Sequence, residues 1–283
     1  MTEGWDEGSL ADPHAVADKR RRVRGMFAAI APSYDLNNRL HSFWLDQSWR
    51  RKAVRLARLR PGDRVVDVAC GTGDLTIEFV RELIRVANGT EHRIGRWSWS
   101  VPSERLPPSV IGVDFTFEML PLALAKTGRV HYFGVEQGTV WDSWRQPVVW
   151  LNGDALSLPL PDACCDVVSI AFGIRNVVDP QAAVKEFFRI LRPGGRAIIL
   201  EFSMPTNPLF GAFYSFYFKR ILPRTATWIS GDKTGAYKYL PQSVQTFIGR
   251  QTMMKMLTEA GFVDIEQHPM TLEICVCYRG VKG

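Results

Sequence analysis

The chain has 283 residues, 46% of them hydrophobic and 23% charged, with a formal net charge of +6, which fits one large globular domain with additions. No apolar run approaches the roughly 20 residues needed to cross a bilayer, and no apolar stretch follows a basic start as in a secretory signal. The five cysteines, Cys70, Cys164, Cys165, Cys275 and Cys277, follow neither a disulfide framework nor a zinc spacing, so the expectation is reduced thiols, a cytoplasmic protein and no metal.

Residues 1–17 are acidic and carry Gly, Ser and Pro, a composition that predicts disorder. Basic residues then crowd together as Lys19, Arg20, Arg21, Arg22 and Arg24. Such a cluster suits nucleic acid, anionic lipid or a solvated helix start. Residues 1–23 are therefore expected to form a disordered or basic tail, and 24–283 a single domain. Helical spacing covers Arg24–Ala31 and Phe43–Leu56, with a turn-rich loop from Pro32 to Asn38 between them.

Strands are predicted at Arg64–Val68, Val110–Asp114, Val148–Asn152, Val167–Ala171 and Arg196–Glu201. Helices at Leu75–Leu83, Phe117–Lys126 and Gln181–Leu191 separate most of them. Near-continuous apolar strands alternating with helices predict an α/β fold, a parallel sheet covered on both faces. Pro193-Gly194-Gly195 is a turn that starts a strand. The stretches 85–108 and 134–147 break the rhythm and read as loop insertions, which add length at little thermodynamic cost. From Met204 to Arg250 an aromatic-rich segment leaves the sheet pattern. A helix over Thr252–Ala260, stopped by Gly261, then precedes an antiparallel strand pair, Phe262–Gln267 and Leu272–Tyr278.

The most informative stretch is VVDVACGTGDL, Val65 to Leu75. A β-branched strand ends near Asp67, and Gly71 and Gly73 turn into a helix. Glycine there lets a ligand approach the backbone closely, and strand, glycine turn and helix N-terminus make a nucleotide-binding corner. Asp114 closes the second apolar strand, where a carboxylate suits the two hydroxyls of a ribose. The third glycine of G-x-G-x-x-G is missing, which shifts the ligand from a dinucleotide toward S-adenosylmethionine.

Four blocks carry a family likeness: FAAIAPSYDLNNRLHSFWLDQSWRR (Phe27–Arg51), DVACGTGDLT (Asp67–Thr76), SIAFGIRNVVDPQAAVKEFFRILRPGGRAIILEFSMP (Ser169–Pro205) and AYKYLPQSVQTF (Ala236–Phe247). Through them the chain resembles the ubiquinone/menaquinone biosynthesis C-methyltransferases, over roughly Arg24 to Lys282. The glycine block is shared by many methyltransferases; the other three are narrower signals. The resemblance implies the class I methyltransferase (Rossmann-like) fold, with a mostly parallel sheet, helices on both faces and an antiparallel C-terminal strand. It also implies S-adenosylmethionine as cofactor and a prenylated quinol precursor as acceptor, most simply demethylmenaquinol, with the ubiquinone branch as the alternative. In the family, serine usually stands immediately before the F-G-x-R-N block; here that residue is Ala171, and the nearest serine is Ser169.

On this resemblance Gly71, Thr72 and Gly73 run along the ribose and methionine part of the cofactor. Asp67 either lies near the sulfonium or holds the N–H groups of the turn. Asp154 and Ala155 lie beside the adenine, unless Asp154 is simply a turn former after Gly153. Arg175 and Asn176, with Tyr34, are implied to stand near the acceptor. Arg175 then steadies a developing phenolate, or else pairs with a carboxylate and fixes its loop. His41 is a less favoured base than a structural histidine. Phe210, Phe213, Tyr214, Phe216, Tyr217 and Phe218, before Lys219 and Arg220, form either an apolar wall with a basic edge or buried core. An exposed wall implies peripheral attachment at the inner face of the cytoplasmic membrane; a homo-oligomer stays open. Two readings compete: a methyltransferase for another lipid or phenol, and a nucleic-acid-binding or scaffold protein using the basic N-terminus. The tyrosine and F-G-x-R-N blocks weigh against the former. The latter lacks stacking aromatics interleaved with the basic cluster, so no nucleic acid is expected.

Overall fold

The computed structural model describes residues 4–89, 110–127, 148–232 and 234–283. In chain order its helices and strands are α1 (Glu7–Ala11), α2 (Lys19–Ile30), α3 (Tyr34–His41), α4 (Leu45–Leu56), β1 (Val65–Val68), α5 (Asp74–Gly89), β2 (Val110–Asp114), α6 (Leu120–Thr127), β3 (Val148–Asn152), β4 (Cys165–Ala171), α7 (Pro180–Ile190) and β5 (Leu191–Phe202). There follow α8 (Pro208–Phe216), a π-helical segment (Tyr217–Ile221), α9 (Leu222–Ser230), α10 (Ala236–Gln245), α11 (Arg250–Glu259), β6 (Phe262–Met270) and β7 (Cys275–Lys282). The strands join in the order β3-β2-β1-β4-β5-β7-β6. Pairing is parallel from β3 through β5, and β7 runs antiparallel to both β5 and β6.

Alternation along the strands assigns the two faces. Val65, Val167 and Ile198 pack with Ala53 of α4 and Phe79 of α5. Their neighbours Val66, Val168 and Ile199 turn the other way, toward Phe187 of α7 and Leu257 of α11. With both faces covered, the central strands are mainly apolar, with Asp67 of β1 and Ser169 of β4 as buried polar exceptions. A third apolar cluster joins Trp5, Val23 and Met26 to Tyr214, Phe218, Leu222, Tyr237 and Tyr239, so α2 packs with α8 to α10. The chain fills the sheet outward on one side through β2 and β3, then on the other through β4 and β5. That reversal opens a crevice at the carboxyl ends of β1 and β4, the usual ligand position in open α/β sheets.

Several expectations are corrected. Residues 4–23 fold instead of forming a tail: Asp6 caps α1, and Trp5 is buried with its ring centroid 4.3 Å from that of Tyr239. The loop expected over Pro32–Asn38 is a 3-10 turn, Ala31–Ser33, running into α3. Pro32 stands in that turn's first positions, where proline's fixed φ suits a helix start. Strand β5 starts directly after α7 at Leu191, with Pro193-Gly194-Gly195 making an irregularity in its pairing with β4. The last strand starts at Cys275, not Leu272, because Thr271, Leu272 and Glu273 all have positive φ and form the hairpin turn. Of the expected insertions, 134–147 lies outside the described residues, as does 85–108 apart from Arg85–Gly89, which continue α5.

Candidate active site

Between β1 and α5 the backbone takes left-handed φ at Gly71 (+55°) and Gly73 (+82°). A Cβ on Gly71 would find only the Tyr34 ring within 4 Å, at 4.0 Å, whereas one on Gly73 would lie 2.5 Å from Trp150. One glycine therefore borders open space, and the other is required by packing against β3. The carboxylate of Asp114 ties this corner together: Oδ2 accepts the Gly71 N–H at 2.7 Å and Oδ1 the Thr116 N–H at 2.7 Å. Burial pushes its pKa up to about 6. Asp114, Gly71, Phe115, Gly153, Asp154 and Ala155 line one cavity with Ala171, Asn176 and Val177.

Asp67, Thr72 and Gly73 do not line that cavity. Asp67 is buried behind it, accepting hydroxyl bonds from Thr76 at 2.6 Å and Ser169 at 2.7 Å, with its pKa also raised to about 6 by burial. Among the described residues its carboxylate accepts no N–H group of the glycine turn. Thr72 donates to Asp35 at 2.6 Å and accepts from Lys126 at 2.8 Å. Ser169, the nearest serine to Ala171, is spent on Asp67. Asp154 accepts the Leu156 N–H at 3.0 Å, as a turn former does, and also pairs with Arg20 at 2.7 Å. Arg20 lies 4.7 Å over the Phe115 ring. Its neighbour Lys19 is buried and donates to the carbonyls of Arg175 at 3.0 Å and Val177 at 2.7 Å. Burial draws that amine down to about 8. The basic cluster is thus largely engaged within the fold, and Arg20 is a cavity residue that composition alone did not single out.

A second cavity of about 310 Å³ adjoins the first. Its walls come from α2, α3, α4, the ends of β4 and β5, and the helices from α8 to α10. Phe27, Tyr34 and Phe172 line both cavities and form the wall between them. Phe172 takes a left-handed φ of +55°, a conformation that costs a non-glycine residue of order 1–3 kcal/mol. Its strained turn leads into the 3-10 segment Ile174–Asn176. Arg175 lines the second cavity and is 4% exposed. Its Nη1 donates to Glu201 Oε1 at 2.7 Å and to the Phe172 carbonyl, while its buried Nε has no partner among the described residues. Arg175 therefore pairs with a carboxylate, as one of its two readings had it, and lines the second cavity.

Asn176 borders the first cavity, its Oδ1 accepting the Tyr239 hydroxyl at 3.0 Å. Burial raises the pKa of Tyr34 above the ordinary phenol value, so its phenol stays neutral. His41 is fixed at both ring nitrogens, to the Asn37 carbonyl at 2.9 Å and to Thr225 Oγ1 at 2.8 Å, which is a structural tie between α3 and α9. Sequence reading missed Glu201, Asp46 and Arg50. All three lie inside the quoted blocks, but pairing of charges distant in sequence leaves no periodic trace.

Strand order, the antiparallel β7 between β5 and β6, and a cavity with a strand-end carboxylate beside a glycine corner define a class I methyltransferase. A solved S-adenosylmethionine-dependent methyltransferase of Thermotoga maritima, described as a possible histamine N-methyltransferase, shares this fold with a TM-score of 0.55 and 18% identity, over 92% of this chain and 100% of its own. The chain belongs to the ubiE/COQ5 methyltransferase family, which it matches over residues 15–282. It is 39% identical to the ubiquinone/menaquinone biosynthesis C-methyltransferase UbiE of Geobacter sulfurreducens, over 95% of this chain and 92% of the relative. It is 40% identical to the demethylmenaquinone methyltransferase of Thermus thermophilus, over 84% and 91%.

Proposed function

We propose that the protein transfers the methyl group of S-adenosylmethionine to a ring carbon of a prenylated quinol, demethylmenaquinol being the acceptor that its similarity to demethylmenaquinone methyltransferases favours. The observation that carries this is the pair of adjoining cavities, one fitted to a nucleoside and one aromatic-walled, meeting at Phe27, Tyr34 and Phe172. Asp114 offers a buried acceptor for a ribose diol, and Gly71 leaves room beside it. Phe115, Met119 and Leu156 supply apolar surface for a purine. When bound, the cofactor supplies an electrophilic methyl group.

The rest falls to side chains of the acceptor cavity. A ring carbon gains nucleophilicity as a neighbouring phenolic oxygen loses its proton. Arg175 remains charged at every relevant pH, so it stabilises that oxygen as an anion and does not take the proton. Tyr34, a neutral phenol in the shared wall, would orient the ring between the cavities. Positioning of this kind supplies much of the rate when the electrophile is already activated. Replacing Arg175 with lysine keeps the charge and loses the planar fork. Turnover of a short-tailed demethylated quinol is expected to fall roughly 10²-fold or more, with cofactor affinity nearly unchanged. Loss of cofactor affinity with turnover intact would place Arg175 in the binding scaffold.

For the tail, Phe43 and Phe213 at the cavity wall are exposed, Phe213 to 69%, and Phe216 of α8, Lys219 and Arg220 of the π-helical segment, and Arg224 and Trp228 of α9 are exposed as well. We read this face as the route by which a membrane-dissolved tail reaches the cavity. The deciding experiment is the quinone profile of cells lacking the protein. Accumulated demethylmenaquinone supports the reading, a demethylated ubiquinone precursor supports the alternative branch, and an unchanged profile overturns both.

A further inference from the structure

The acceptor cavity is built mainly from aromatic and aliphatic side chains, yet among the described residues three charged ones line it: Arg175, Asp46 and Arg50. Asp46 and Arg50 stand one turn apart on α4 and pair with each other, both nearly wholly buried. Ser42 donates to Asp46 Oδ1 at 2.8 Å and Gln47 to Oδ2 at 3.0 Å, so the carboxylate is held from several sides. Among the described residues only Nη1 of Arg50 makes a hydrogen bond, and its remaining donors are uncommitted. A buried ion pair is weak support for a fold, since apolar residues of similar volume often serve as well or better. Its place in an otherwise apolar cavity calls for a polar ligand atom.

The arrangement repeats that of Arg175. Its guanidinium carbon lies 5.4 Å from the Phe202 ring centre and it pairs with Glu201; that of Arg50 lies 5.3 Å from the Phe172 ring centre and it pairs with Asp46. The Phe172 and Phe202 rings are themselves 4.6 Å apart. The cavity thus holds two arginines, each paired with a carboxylate and each close to one ring of the Phe172–Phe202 pair. A 1,4-quinol has two oxygens on opposite edges of one ring. Resting on the reading of the acceptor as a quinol, we propose that Arg50, held by Asp46, binds the ring oxygen remote from the methylated carbon, while Arg175 serves the adjacent one. Two anchors fix the in-plane rotation of the ring and so select which carbon faces the cofactor.

The test uses the full-length protein and two acceptors: a short-tailed 2-prenyl-1,4-naphthoquinol and the matching 3-prenyl-1-naphthol, which lacks only the remote hydroxyl. Arg50→Gln is expected to lower kcat/KM on the quinol about tenfold or more, chiefly through KM, as loss of a charge-assisted hydrogen bond should. The loss on the naphthol should stay under about twofold, the yardstick being each variant relative to wild type on the same acceptor. Asp46→Asn/Arg50→Gln, which leaves no unpaired charge, should show the same pattern, and Arg50→Lys should restore part of the quinol activity. Equal losses on both acceptors, no loss on the quinol, or variants that all fail to fold mark the pair as structural and overturn the proposal. Wild-type protein that methylates neither acceptor overturns the quinol reading itself, and this inference with it.

Discussion

Asp114 holds two backbone N–H groups and borders the cavity we assign to the nucleoside, so on that reading one carboxylate both shapes the glycine corner and meets the ligand. Asp114→Ala is expected to weaken S-adenosylmethionine binding tenfold or more, on the order of 1.4 kcal/mol. Calorimetric titration measures this, and unchanged affinity in a folded variant would remove Asp114 from the cofactor site. Asp67 is the contrasting case. Its folded pKa of about 6 lies above the roughly 3.9 of an unfolded aspartate. Between those values the folded state holds a proton that the unfolded state has lost, so stability from this group falls as pH rises from about 4 to about 6. Asp67→Asn cannot ionise. The melting temperature of wild type should therefore drop relative to this variant across that window, and a constant difference would refute the assignment. From sequence the two acids read alike, each closing an apolar strand. Their separation rests on Thr76 and Ser169, partners that only the folded register brings to Asp67.

The glycine corner is an element in which neighbouring positions carry different duties. Gly73→Ala would drive a Cβ into Trp150 at a positive φ. Overpacking of that kind costs roughly 1–3 kcal/mol, with backbone strain added, and should appear as a lower melting temperature. Gly71→Ala also sits at a positive φ and carries backbone strain, but it meets no neighbour closer than 4.0 Å, so its loss of stability should be the smaller and its effect on cofactor affinity the larger. Thermal melts beside binding titrations separate the two, and identical behaviour would contradict the division. The strands and the helices packed on them were legible because hydrophobic period and glycine placement report local geometry faithfully. Where reading failed, tertiary contacts decided. Trp5 turns an acidic, disorder-like N-terminus into packed structure through Tyr239. The loop foreseen before His41 became α3, whose Asp35, Asn37 and His41 find partners on themselves or on distant elements. At the C-terminal hairpin, alternation alone missed the left-handed run from Thr271 to Glu273.

At the scale of the whole molecule, the helices from α8 to α10 and the N-terminal α2 close over the carboxyl ends of the strands and complete both cavities. No helix among the described residues is long and apolar enough to cross a membrane, and the attachment we propose uses a face. The face we favour carries Phe213 and Trp228, exposed to 69% and 86%, beside Lys219, Arg220 and Arg224. Part of the protein is expected to sediment with anionic vesicles and to leave them partly at high salt. Phe213→Ser/Trp228→Ser should reduce that fraction, while a protein indifferent to vesicles containing the lipid quinone would leave the face without this role. Because Lys19, Arg20 and Arg22 make bonds within the fold, the salt-sensitive part should map to the π-helical segment and α9 rather than to α2. The shared wall of Phe27, Tyr34 and Phe172 has a thermodynamic corollary. A ligand in either cavity restricts rings that form the other's boundary, so part of the ordering cost of the second ligand is already met. Such linkage is reciprocal: whatever factor the cofactor contributes to acceptor affinity, the acceptor must return to the cofactor. The two compounds then reinforce each other's residence without sharing a single binding pocket.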